Sequence, residues 1–177
     1  MELTILPLKF TNEHLLKELL FRLRFVFDKV NVCYTLFDIE QSYNPQRRQF
    51  YSTKIIETVK KSNPASEGFV LILTEMDLFI PVLTHIYGEA ELIGRYSIVS
   101  VCRLYEEFYT SESNPPLLLE RSYKVIIHEL GHNAGLKHCK NWRCVMHSSS
   151  GIEELDIKGN LFCADCHSSA KNKGFIM

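Results

Sequence analysis

No run of apolar residues in the 177-residue chain approaches the ~18 positions that a membrane-spanning helix needs. The first residues, Met1-Glu2-Leu3-Thr4-Ile5-Leu6-Pro7, have neither the basic start nor the long apolar stretch of a secretory signal. No Asn-x-Ser/Thr glycosylation acceptor occurs. Neither sign of charge is in excess: 20 Lys and Arg stand against 21 Asp and Glu, a net of −1. That balance excludes bulk attraction to nucleic acid or an anionic membrane. Internal repeats, low-complexity tracts and glycine-rich phosphate loops are missing too. From these absences we expect a cytoplasmic monomer with neither nucleic acid nor membrane as partner. The hydrophobic fraction of 46% suffices for a core, and the length fits one domain with at most a small appendage.

Histidine and cysteine, by contrast, crowd into one stretch. It reads His128-Glu129-x-x-His132-x-x-Gly135-x-x-His138 and continues through Cys139, Cys144, Cys163 and Cys166. Residues four apart share a helix face, so His128 and His132 can offer two imidazoles to one ion. Glu129 lies about 100° around the helix, clear of the ion but within reach of a water on it. Gly135 can take positive φ and end the helix, and the chain then returns His138 as a third ligand. Three ligands leave a fourth position open, the mark of a catalytic zinc site. Zinc lowers the pKa of its water to about 7, and Glu129 can take the proton as that water attacks a carbonyl. Three unrelated surface histidines would leave the placement of the glycine unexplained.

The four cysteines are spaced C-x4-C-x18-C-x2-C. In a reducing compartment two such chelating pairs read as a closed, four-thiolate structural zinc site, with two disulfides as the alternative. Two zinc ions per chain are therefore expected. Cys33 and Cys102 lie in apolar, strand-like runs and are expected to be merely buried.

The stretch from His128 to Cys166 resembles the active site of the metzincin zinc metallopeptidases, and within them the archaemetzincins. That resemblance rests on the histidine motif running directly into Cys139, Cys144, Met146, Cys163 and Cys166. Weaker similarity extends upstream through Asp77-Leu78-Phe79-Ile80-Pro81 and Tyr87-Gly88-Glu89-Ala90. It implies peptide-bond hydrolysis with peptide or protein substrates. It also implies a zincin-like α+β fold with a mixed, twisted sheet of about five strands backed by helices. Met146 stands where metzincins carry an apolar floor beneath the three histidines. Gly88 and Glu89 fall on the expected sheet edge above the cleft, where extended substrate would pair. No tyrosine after Met146 is placed to help a developing oxyanion, which leaves His147 and Lys137 as candidates. The rival function is a zinc-binding module of the same fold with little peptidase turnover.

Taken in order, Leu3 to Leu8 reads as a strand. Thr11 or Asn12 caps a helix whose apolar face is Leu15, Leu16, Leu19, Leu20 and Leu23. Val30 to Ile39 reads as a second strand, and Asn44-Pro45 as the start of a helix running to Ser62. Its basic residues, among them Arg47, Arg48 and Lys54, read as a solvated face. Asn63-Pro64 to Gly68 is a turn. Phe69 to Thr74, Thr84 to Glu91 and Arg95 to Leu104 complete the strands, with Glu75 and Asp77 organising turns between them. Asn114-Pro115-Pro116 starts the active-site helix, which ends near Ala134 and buries Leu119, Tyr123, Ile126, Ile127 and Leu130. The expected division is residues 1–135, ending in that helix, and 136–177, a small piece stapled by the thiolate zinc.

Overall fold

The computed structural model describes residues 1–62, 67–171 and 175. Its centre is a five-stranded sheet with strand order β2-β1-β5-β8-β7. The strands are β1 (Glu2–Leu8), β2 (Lys29–Val32), β5 (Phe69–Thr74), β7 (Gly88–Ala90) and β8 (Tyr96–Ser100). All run parallel except β7, which lies antiparallel to β8 at the end of the sheet. Side chains alternate across it with period two. Leu3, Ile5, Leu71, Leu73 and Val99 face one core with helices α1 (Glu13–Leu23) and α3 (Pro115–Asn133). Leu6, Leu8, Val70, Ile72 and Ile98 face the other, covered by Ile55, Ile56 and Val59 of α2 (Ser52–Ser62). No helix among the described residues is long and apolar enough to cross a membrane.

Several expectations hold, and the exceptions have physical reasons. Asn12 is the cap of α1, accepting from the Leu15 backbone N–H. The second strand stops at Val32 rather than Ile39. Among the described residues β2 is an edge strand paired only with Glu2–Ile5 of β1, and past Cys33 the chain leaves the sheet. Tyr34 and Leu36 there are 74% and 100% exposed. Aromatic and β-branched residues suit an extended edge as well as a true strand, so composition cannot place its end.

The helix expected from Asn44 begins only at Ser52. Before it, β3 (Tyr43–Asn44) and β4 (Gln49–Tyr51) form a hairpin, and β4 pairs with β6 (Leu78–Phe79) in a second, three-stranded sheet. The Asn44 side chain accepts from the Arg47 N–H and makes a turn where a helix cap was expected. The expected turn after Ser62 lies largely outside the described residues. The fourth strand shrinks to Gly88–Ala90, with a single bridge from Ile86 to Leu78. Glu75 and Asp77 do organise this region. Glu75 accepts from Thr11 and Tyr105, and Asp77 holds Arg103 through two contacts of 2.7 Å.

α3 starts at the Asn114 cap, with Pro115 and Pro116 in its first turn. Leu118, rather than the half-buried Leu119, fills its first core position. Beyond α3, helices α4 (Ile152–Ile157) and α5 (Ala164–Lys171) pack back onto the same core through Ile152, Leu155 and Ala170. The clamp is polar. Buried Arg121 of α3 reaches Asp156 of α4 by two contacts of 2.7 Å and pairs with Glu106, while Lys124 donates to the carbonyls of Leu155 and Asp156. Arg121→Met should lower the unfolding free energy by about 2–3 kcal/mol, less than a fully buried pair because both carboxylates keep solvent contact. Chemical denaturation checks this, and no change would mean the pairs add nothing net.

Candidate active site

The final turns of α3 carry His128, Glu129 and His132 on a helix that cannot shift. Asn133 donates to the carbonyls of Glu91 and Tyr96, tying the helix end to the β7–β8 turn. Gly135 then takes φ +91°, in the left-handed region, and the chain bends back. His138 thereby returns to the two helical histidines, with ring centroids 5.3 Å from His128 and 5.0 Å from His132. Each of the three offers a ring nitrogen, all within 4.8 Å of one another.

The hydrogen bonds of the rings decide what those nitrogens can do. His128 Nδ1 lies 2.8 Å from the Val145 carbonyl, and His132 Nδ1 lies 2.8 Å from the Leu136 carbonyl. A carbonyl only accepts, so both Nδ1 atoms must be the protonated ones. Burial also lowers the pKa of all three imidazoles, His128 to well below its ordinary value, and so favours their neutral forms. The two Nε2 atoms are then lone-pair acceptors, yet they sit 3.1 Å apart. Neither can donate to the other. Ligands about 2.0–2.1 Å from a tetrahedral zinc are about 3.3 Å apart, so a shared cation fits the contact.

Glu129 stands beside them against the backbone of β7. A Cβ built on Gly88 would lie 2.7 Å from Glu129 Cγ and 2.9 Å from its Oε1. The glycine therefore makes room for the carboxylate. Burial pushes the Glu129 carboxyl up to about 8, and the charge of Lys158 works the other way. Glu89, expected at the substrate edge, turns its carboxylate to the start of α2, where the Ser52 and Thr53 hydroxyls donate to it. Met146 is fully buried, and a Cβ on Gly131 would lie 2.5 Å from its sulphur. The propensity cost of Gly131 in mid-helix thus makes room for that methionine. His147 places Nδ1 2.9 Å from the Cys139 carbonyl, outside the triad, and Lys137 is exposed.

Cys139, Cys144, Cys163 and Cys166 also converge, their sulphurs all within 4.8 Å. Cys139 and Cys163 are 3.8 Å apart, far beyond the ~2.05 Å of a disulfide and close to the ~3.8 Å between thiolates on one tetrahedral zinc. Backbone N–H groups of Asn141 and Cys163 donate to the sulphurs of Cys139 and Cys144. Cys33, expected to be buried, is exposed, and Cys102 is half-buried.

The histidines, Glu129, Gly88 and Glu89 line one cavity of about 490 Å³. Lys158 and Ser148–Ser150 line it too, and neither group follows from the motif.

The family model of peptidase family M54 matches residues 23–172 of the chain. The chain belongs to peptidase family M54. The archaemetzincin of Methanocaldococcus jannaschii is 37% identical to it over all 177 residues, which cover 97% of that relative. The archaemetzincin structure of Archaeoglobus fulgidus, solved with malonate, superposes with a TM-score of 0.82 at 33% identity, covering 96% of this chain and 99% of that one. For the archaemetzincin structure of Methanopyrus kandleri the TM-score is 0.84 at 29% identity, covering 98% and 94%. The M54 chain is thus a zinc metallopeptidase with the archaemetzincin fold, and its substrates are peptides or proteins. Gly88→Ala is expected to displace Glu129 and lower kcat by about 10²-fold at unchanged zinc content. Steady-state kinetics with metal analysis checks this, and near-normal activity would show that Glu129 does not depend on the strand.

Proposed function

We propose that His128, His132 and His138 hold the zinc at which peptide bonds are hydrolysed, with Glu129 as general base. Cys139, Cys144, Cys163 and Cys166 hold a second, structural zinc. The observation that carries the first assignment is the pair of facing Nε2 acceptors, each fixed by a carbonyl behind its own ring. Zinc held there supplies Lewis acidity, acidifying water and polarising the scissile carbonyl. Glu129 takes a proton from the attacking water at its carboxylate. Burial favours its protonated form, which suits the return of that proton to the leaving amine. Among the described residues β7 ends the sheet and pairs on one side only, so its outer edge at Gly88 and Glu89 is the place for an extended peptide. Glu89 would act there through its backbone, since its carboxylate is engaged by α2.

The two metal groups are coupled through the chain. His138 and Cys139 are adjacent, and the Cys139 N–H donates to the Met146 carbonyl, so the thiolate site and the methionine floor share the loop that presents His138. This supports reading residues 136–177 as a stapled part attached to the end of α3, continuous with the main core. Glu129→Gln should keep its zinc and lose about 10²–10⁴-fold in kcat on a mixed peptide library. Equal turnover by the variant and the wild type would remove Glu129 from the mechanism. Cys163→Ser should lose the second zinc and also weaken zinc binding at the histidines, read by metal titration. Unchanged affinity at the histidines would show the two sites to be independent.

A further inference from the structure

Lys158 is 4% exposed and lines the active cavity, where its charge opposes the rise of the Glu129 pKa but has no assigned role toward substrate. It follows directly on α4, the helix that Arg121 and Lys124 fasten to α3, so its backbone is fixed relative to Glu129. Its Nζ donates to the His147 carbonyl at 3.0 Å. An ammonium carries three donors, and no carboxylate among the described residues lies within ion-pair distance of this one. Leaving a buried cation uncompensated is costly. The charged or ionisable groups that face it are Glu129, Lys124 and Cys144, and its charge also reaches His128, His132 and His138. Burial lowers its pKa to about 8, which keeps it mostly protonated at neutral pH.

A second polar group waits in the same wall. The Ser149 hydroxyl is buried with no hydrogen-bond partner among the described residues. Val125 and Leu155 add apolar surface to the same lining. The lining thus combines apolar surface with a cation and an unpartnered hydroxyl. That is the complement of a carboxylate on a short aliphatic stem.

We propose that Lys158, with Ser149, forms a carboxylate-binding subsite that selects peptides bearing an acidic group beside the scissile bond. The group is either a Glu or Asp side chain or the terminal carboxylate of a short peptide. This rests on the peptidase reading of the same cavity. It makes Lys158 a specificity residue, separate from the groups assigned to proton transfer.

The probes are alanine-based hexapeptides carrying Glu, Gln or Lys at each position in turn, with free or amidated C-termini. The protein is the zinc-loaded full chain, as wild type, Lys158→Met and Lys158→Glu. Wild type should favour Glu over Gln at one position by on the order of ten- to a hundredfold in kcat/KM. Preference for the free over the amidated terminus would instead identify the terminal carboxylate as the ligand. Lys158→Met should erase the preference, and Lys158→Glu should turn it toward Lys, a gain that misfolding cannot produce. The same ratios are read by equilibrium binding in a Glu129→Gln background. If no peptide is cleaved but the binding ratios hold, the subsite stands and the peptidase reading fails. An unchanged Glu-to-Gln ratio in folded, zinc-replete Lys158→Met, or an equal fall for all peptides, would overturn the subsite.

Discussion

Two backbone carbonyls set the orientation of the paired histidine rings. Val145 and Leu136 each receive the Nδ1 proton of a helical histidine, which leaves the opposite nitrogens bare and 3.1 Å apart. Buried acceptors in such contact repel unless a cation sits between them. Much of the surrounding structure serves to put those carbonyls in place. Val145 follows Cys144, one of the four converging cysteines, and Leu136 follows the glycine bend. The same contacts that orient the rings thus tie both ends of the loop to the helix.

Small residues set the distances. Gly88 lets a strand pass against Glu129, and Gly131 lets the methionine floor come up to the helix. Gly135 turns the chain by adopting a backbone geometry that other residues rarely reach. At each of these sites a methyl group would displace a side chain of the cavity or strain the bend. Rigidity comes from polar clamps on the outside of the same helix. Asn133 anchors its end to the sheet, and Arg121 and Lys124 fasten α4 on the other side. A hydrolytic site gains from such rigidity because orientation errors of about 1 Å cost rate steeply.

The histidine and cysteine spacings were legible because metal geometry is encoded locally: one helical turn, one bend, two short chelating pairs. Strands of the main sheet were legible as apolar runs such as Phe69–Thr74, which is buried throughout. The hairpin at Tyr43–Tyr51 was not legible. Its strands are two and three residues long and are held by a distant partner at Leu78–Phe79. Lys158 was hidden for a related reason. In sequence it is a lysine in a charged, helix-like segment, which normally means a solvated face. Its burial comes from α4 docking on α3, a tertiary event. Glu89 was placed at the right edge, but its carboxylate was claimed by Ser52 and Thr53 from another helix.

The proposed function turns on what the fold does to two imidazole rings. Nitrogen-15 NMR of the histidine side chains in zinc-loaded protein reads it directly. His128 and His132 should each carry their proton on Nδ1, with Nε2 at the shift of a metal-bound nitrogen. A proton on Nε2 of either ring in protein that holds its full zinc complement would contradict the assignment.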